Sequence, residues 1–218
     1  MVYNLKNSNS KKTSSIKKAC DILFHPGKAS EEKIKLSTAF KFYFKIAIIG
    51  FLIYTLTGTV MLHFNYKIPH FSLLFSFFPN YFFDILISGI ILFFILIPIG
   101  LIIDAAIYHL FGKFLLKAWN GNYSLTLNAA VFASVPALLL SWLLLIHYIK
   151  IIGILLITIW EFVILIIALS GQQKTSRVNA FISVFASILF VILIAFLLMV
   201  LVVMAPLISH NYTSHYFI

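Results

Sequence analysis

Five long apolar segments divide the chain, and short polar connections separate them. The segments cover residues 40–62, 81–103, 127–149, 151–169 and 180–204. Each is close to the ~20 residues that a helix needs to cross a ~30 Å hydrocarbon core. The pattern therefore predicts an all-α fold, a polytopic transmembrane bundle of five spans.

The basic residues fall on alternate connections, which predicts an orientation. Ten of the sixteen Lys and Arg residues precede the first span or lie at its start, namely Lys6, Lys11, Lys12, Lys17, Lys18, Lys28, Lys33, Lys35, Lys41 and Lys45. The others are Lys113 and Lys117 between spans two and three, Lys174 and Arg177 between spans four and five, and Lys67 and Lys150 on the opposite side. Because basic residues favour the cytoplasmic side, we expect the N-terminus in the cytoplasm and the C-terminus outside.

The polar ends of the chain set its domain organisation. Residues 1–20 are predicted to be a basic, disordered cytoplasmic tail, residues 21–206 the membrane domain and residues 207–218 a short outer tail. Apolar residues recur at helical spacing from Ile16 to Phe24 beside lysines, which predicts a short helix on the membrane surface.

Three of the spans carry features that predict more than a membrane crossing. Helix-forming residues continue from the second segment to about Ala118, so its inner end should project beyond the membrane or turn along the cytoplasmic surface, with a bend near Pro98. The third and fifth spans carry stripes of small residues that favour close helix packing. These are Ala130, Ser134, Ala137 and Ser141 on span three, and Ala180, Ser183 and Ser187 on span five.

The net charge of +10 arises mainly beside the first span, in a chain that is 62% hydrophobic. This placement favours an anionic lipid surface over nucleic acid as the partner. The candidate residues for binding lipid or a protein partner are Lys11, Lys12, Lys17, Lys18, Lys113, Lys117, Lys174 and Arg177.

One acidic residue lies in the middle of a predicted span. An ionised carboxylate at that depth costs several kcal/mol, so Glu161 is a candidate functional group by default. Thr158 precedes it by one helical turn, in reach of a hydrogen bond, and Asp104 lies near the inner end of span two. The structural alternative is a protonated or hydrogen-bonded Glu161 that joins helices.

Motifs for catalysis and for metal or cofactor binding are missing from the sequence. It contains no Walker loop, dinucleotide fingerprint, HExxH, GxSxG or cysteine pair. Five histidines are predicted to lie outside, but without the tight spacing of metal ligands. We therefore predict no cofactor, no metal site and no enzymatic activity; an intramembrane enzyme would need convergent titratable groups.

The order of short motifs resembles the Yip-one domain family, five-span proteins typified by Ypt/Rab-interacting membrane proteins. The resemblance rests on the helix, glycine turn and proline-containing third span from His109 to Pro136, and on Phe24-His25-Pro26 upstream. Its motif residues here are Pro26, Gly112, Gly121 and Pro136. The family implies a role in membrane trafficking or organisation for eukaryotic members. This chain differs from that type in its short basic N-terminal segment, so a Rab-type GTPase partner is not carried over.

Two functions follow as hypotheses. The first is a non-enzymatic integral membrane protein, in a cell membrane if prokaryotic, that organises membrane or recruits partners through a basic cytoplasmic face. Its partners would be anionic lipids and a membrane or cytosolic protein, with homo-oligomers left open. The alternative is a small transporter or ion or proton channel that uses Glu161.

Overall fold

The computed structural model describes residues 14–27, 34–64, 81–146 and 148–213, with side chains at 82–146 and 148–202 in the last two ranges. The described residues form helices and no strands. A short helix, α1 (Ser15–Phe24), precedes α2 (Leu36–His63). Helix α3 consists of Tyr81–Ile91 and Ile97–His109, which are followed by π-helical turns at Leu92–Leu96 and Leu110–Leu115. Helix α4 consists of Tyr123–Ala133, Val135–Leu140 and a 3-10 turn at Ser141–Leu145. The last two helices are α5 (Lys150–Gln173) and α6 (Arg177–Thr213).

Five of these helices, α2 to α6, are long and apolar enough to cross a membrane. The predicted fold class and number of spans are therefore confirmed. The helices also extend past the predicted segments, since α2 begins four residues before position 40 and α4 four residues before position 127. Helices α2, α4 and α6 begin at the same end of the bundle at which α3 and α5 stop. We call this the basic end.

The α1 helix begins inside the segment that was expected to be a disordered tail. Ser14 caps it, because its side-chain oxygen accepts a hydrogen bond from the Lys17 backbone N–H at 3.2 Å. Ala19 and Ile22 are buried in the core that the spans form. Residues 15–20 are thus helical because capping and apolar packing offset the entropy of ordering them. The helix predicted from Ile16 to Phe24 is confirmed.

α4 is the central helix. In its apolar stretch of 18 residues, 67% of the residues are buried, against 11–28% in the corresponding stretches of the other four spans. It packs against α2, α3 and α5, and its middle also contacts α1. α6 lies at the periphery against α5 and α3, and every side chain from Leu189 to Val202 is exposed. The small-residue stripes lie in these contacts, with Ala130, Ser134 and Ser141 on α4 and Ala180, Ser183 and Ser187 on α6 all buried.

The predicted irregularity near Pro98 takes the form of a π-helical turn. In this turn each backbone N–H donates five residues back, as Ile97 does to Leu92. The matching donor for the Phe93 carbonyl would be Pro98, which has no N–H. The Tyr43 hydroxyl donates to the Phe93 carbonyl instead, at 2.7 Å. The bond from α2 therefore satisfies a carbonyl that the proline leaves without a partner.

Candidate functional site

Hydrogen bonds join two connections at the basic end, residues 116–122 between α3 and α4 and residues 174–176 between α5 and α6. Thr175 Oγ1 donates to the Ala118 carbonyl at 2.8 Å. Gln173, the last residue of α5, donates from Nε2 to the Asn122 carbonyl at 3.3 Å and to Thr126 Oγ1 at 2.8 Å. We call these two segments the paired connections.

A buried polar network continues from the paired connections into the bundle. Thr126 Oγ1 also shares a hydrogen bond with His109 Nδ1 at 3.0 Å. One hydroxyl group therefore links α3, α4 and α5. Asn128 donates from Nδ2 to the Ile34 carbonyl at 2.9 Å, which joins α4 to the segment before α2. All four side chains in these bonds, those of His109, Thr126, Asn128 and Gln173, are buried.

Two glycines at the basic end are needed because other groups approach their backbones closely. A Cβ atom on Gly112 would overlap the indole ring of Trp119. A Cβ atom on Gly121 would overlap the side-chain oxygen of Gln173. The two glycines of the predicted helix and turn motif thus allow the connection of α3 to α4 to pack on the bundle.

The cations that were predicted to bind lipid or a partner lie in two places. Lys113, Lys117, Lys174 and Arg177 belong to the paired connections or flank them, and the last three are exposed. Lys17 is exposed on α1, whereas Lys18 Nζ lies over the rings of Phe42 and Phe132, 5.8 and 5.3 Å from their centroids. The remaining two candidates, Lys11 and Lys12, lie outside the described residues.

Lys117 and Lys174 occupy equivalent positions at the ends of two helices. Both have left-handed backbone conformations, with φ of 51° and 52°. The residue after each lysine caps the helix with its backbone N–H. The Ala118 N–H donates to the Gly112 carbonyl at 2.6 Å, and the Thr175 N–H donates to the Ser170 carbonyl at 3.0 Å. Glycine is the usual residue at such a position, and another residue there costs about 1–2 kcal/mol.

The candidate intramembrane residues lie on different helices, Asp104 on α3 and Glu161 on α5. Their carboxyl groups lie within range of each other's charge, and both lie within range of Tyr108. A cavity of about 130 Å³ between α3 and α6 is lined by Asp104, Tyr108 and Ser187 together with Ile107, Ile188, Val191 and Ile192. This volume is sufficient for a few water molecules.

Thr158, the third predicted member of this group, is exposed on α5. Within the described part of the chain, it makes no hydrogen bond to Glu161. A spacing of three residues places two side chains on one helical face but does not bring their polar atoms together. Of the remaining motif residues, Pro136 is buried in α4 and Pro26 lies partly buried just after α1.

The buried network of His109, Thr126, Asn128 and Gln173 was not predicted from the sequence. Each of these residues lies near the end of an apolar segment, where a polar side chain is ordinary. Among the described residues, no three His, Cys, Asp or Glu side chains are arranged to hold a metal ion.

The Yip1 domain family model matches residues 20–201. The chain belongs to the Yip1 domain family. Neither a curated protein nor a solved structure matches it. With five helices able to cross a membrane, this family member is a multi-pass integral membrane protein. The match includes all four predicted motif residues, the paired connections, and both Asp104 and Glu161.

Proposed function

We propose that this protein organises membrane or recruits partners through its basic end, without catalysis. One observation carries the proposal: the paired connections bring cations from two separate stretches of the chain onto one surface. Residues 113–122 and 174–179 contain four Lys and Arg residues and no acidic residue. The basic end would face the cytoplasm, since basic residues favour that side and only two of the sixteen Lys and Arg, Lys67 and Lys150, fall in sequence between helices that would connect at the other end.

Anionic phospholipids of the facing leaflet are the first partner that this surface would attract. Each Lys or Arg near an anionic membrane surface contributes about 1 kcal/mol to the attraction. The attraction from the four cations in and beside the paired connections therefore has an upper limit of about 4 kcal/mol, which salt reduces. A protein partner with an acidic surface would be attracted in the same way, and a prokaryotic cell membrane is the location that we propose.

The test removes charge from the paired connections in the full-length protein. Lys113→Gln, Lys117→Asn, Lys174→Asn and Arg177→Gln are combined, with Asn at the two left-handed positions because it tolerates that conformation. The control changes the three lysines to Arg and keeps the charge. We expect the neutral variant to co-purify with a lower ratio of anionic to zwitterionic lipid, measured by mass spectrometry, and the control to keep the wild-type ratio. Equal ratios in all three proteins would argue against the proposal.

A transporter or channel that uses Glu161 is the second candidate. Two observations favour it: the charge of Glu161 acts on Asp104 and Tyr108, and these last two residues line a cavity. The test measures proton and cation flux into liposomes that contain wild-type protein or the Glu161→Gln variant. Flux that the substitution abolishes would support this function, and absence of flux from wild-type protein would reject it.

A further inference from the structure

We propose that the paired connections form one defined binding site for the headgroup of a lipid that carries two or more negative charges. This inference rests on the proposed function and narrows it. The basic end would hold one lipid in a structured site, in addition to attracting anionic lipids by its total charge.

The first argument is the proximity of cations from the two connections. The hydrogen bond from Thr175 to Ala118 is 2.8 Å long. Lys174 and Lys117 immediately precede these residues, and consecutive Cα atoms are ~3.8 Å apart, so the Cα atoms of the two lysines are within ~15 Å. Two extended lysine side chains can bridge most of this distance. A headgroup with two phosphates can contact both ammonium groups.

The second argument is the positive potential at this place. Lys113 and Arg177 flank the two lysines, and no acidic residue lies between positions 113 and 122 or 174 and 179. α4 and α6 begin here and α3 and α5 end here, so helix dipoles of opposite sign offset each other and the positive potential comes from the side chains. The side chain of Asn122 leaves the first N–H groups of α4 without a side-chain cap. Arg177 can bind two phosphate oxygens at once.

The third argument favours a lipid over a soluble anion. Between Lys113 and Lys117 the chain exposes three apolar side chains, those of Phe114, Leu115 and Leu116, with exposed fractions of 66%, 59% and 43%. Cations beside exposed apolar residues fit the boundary between headgroups and acyl chains. Free phosphate has no apolar part to contact these side chains, whereas the acyl chains of a bound lipid can contact them.

The fourth argument is that both lysines occupy positions where glycine would be less strained. Lys117 and Lys174 adopt left-handed backbones that glycine adopts without cost. A basic residue at both positions therefore retains charge at the expense of backbone energy. Strain of this kind is found at binding sites that the surrounding structure holds in place, as the bonds of Thr175 and Gln173 do here.

The first experiment uses variants that are expected to fold at least as well as wild type. Lys117→Gly with Lys174→Gly removes two charges and relieves the strained backbones, while Lys117→Arg with Lys174→Arg keeps the charges. Each full-length protein is placed in nanodiscs of phosphatidylcholine with a minor fraction of either cardiolipin, which has two phosphates, or phosphatidylserine. Native mass spectrometry then counts the bound anionic lipids. We expect wild type and the Arg variant to retain cardiolipin over phosphatidylserine, and the Gly variant to lose this preference.

The second experiment separates a defined site from diffuse charge. Thr175→Val removes the bond between the paired connections without changing any charge, and we expect it to lower the cardiolipin preference ~5-fold, as for the loss of one hydrogen bond. The matched control is Thr59→Val, because the Thr59 hydroxyl donates only to Thr55 within its own helix, at 2.8 Å. The control is expected to match wild type.

The outcomes distinguish this inference from the proposed function. If the neutral variant with four substitutions loses anionic lipid but Thr175→Val keeps the full cardiolipin preference, the basic end attracts lipid by total charge and the defined site is rejected. If neither change matters, the proposed function fails as well. Displacement of cardiolipin by inorganic phosphate would assign the site to free phosphate and would also overturn the inference.

Discussion

The hydroxyl of Thr126 offers a direct test of the network behind the paired connections. It is completely buried and bonds to His109 at 3.0 Å and to Gln173 at 2.8 Å. Thr126→Val keeps the volume of the side chain but removes both bonds. A buried polar group left without its partner costs about 1–3 kcal/mol. Two unpaired groups would together cost about 2–6 kcal/mol. Gln173 keeps its longer bond to the Asn122 carbonyl, so we expect the free energy of unfolding to fall by about 2–4 kcal/mol.

The assay is reversible unfolding of the purified protein in mixed detergent micelles. Thr59→Val again serves as the control, since Thr59 is exposed and donates within its own helix, and it should change the free energy by less than about 0.5 kcal/mol. Adding Gln173→Leu to Thr126→Val should cost less than the sum of the two single changes, because both partners of one bond are then apolar. Equal stabilities for the Thr126 and Thr59 variants, or strict additivity in the pair, would refute the network as a source of stability.

Three further predictions concern other parts of the structure. Gly112→Ala should lower the free energy of unfolding by about 1–3 kcal/mol because Trp119 occupies the space of the new methyl group, whereas Gly100→Ala, which has nothing within 4 Å, should raise it by up to about 1 kcal/mol. Tyr43→Phe should cost about 1–3 kcal/mol, as it leaves the carbonyl at the π-helical turn without a donor, and a cost near zero would contradict this account. The single cysteine, Cys20, is exposed, so a membrane-impermeant maleimide should label it only after cells are permeabilised if the N-terminus is cytoplasmic, and labelling of intact cells would reverse the orientation.

The five spans could be predicted because apolar length alone determines which segments can cross a membrane. The sequence also indicated the glycine turn and the bend near Pro98, since glycine and proline have local backbone effects. It did not indicate that α4 is the central helix. All five segments are apolar, and hydrophobicity does not distinguish a side chain that faces lipid from one that faces another helix.

The buried network could not be predicted for a different reason. His109, Thr126 and Gln173 lie 17 and 47 positions apart, on three helices whose relative rotation the sequence pattern does not contain. Each one alone is an ordinary polar residue near a membrane surface. Glu161 and Asp104 were singled out because charge is rare in apolar segments, but the cavity beside Asp104 depends on how α3 and α6 pack.

The two candidate functions use separate groups, so a set of four proteins can distinguish them. No hydrogen bond joins Glu161 to the paired connections in the described part of the chain, and substitutions at independent sites have additive effects. Glu161→Gln should therefore leave the cardiolipin preference unchanged, and Lys117→Gly with Lys174→Gly should leave any proton flux unchanged. The combined variant should then show both single effects and no more. If Glu161→Gln alters lipid binding, the intramembrane carboxyl groups and the basic end act together, and the two hypotheses describe one coupled mechanism.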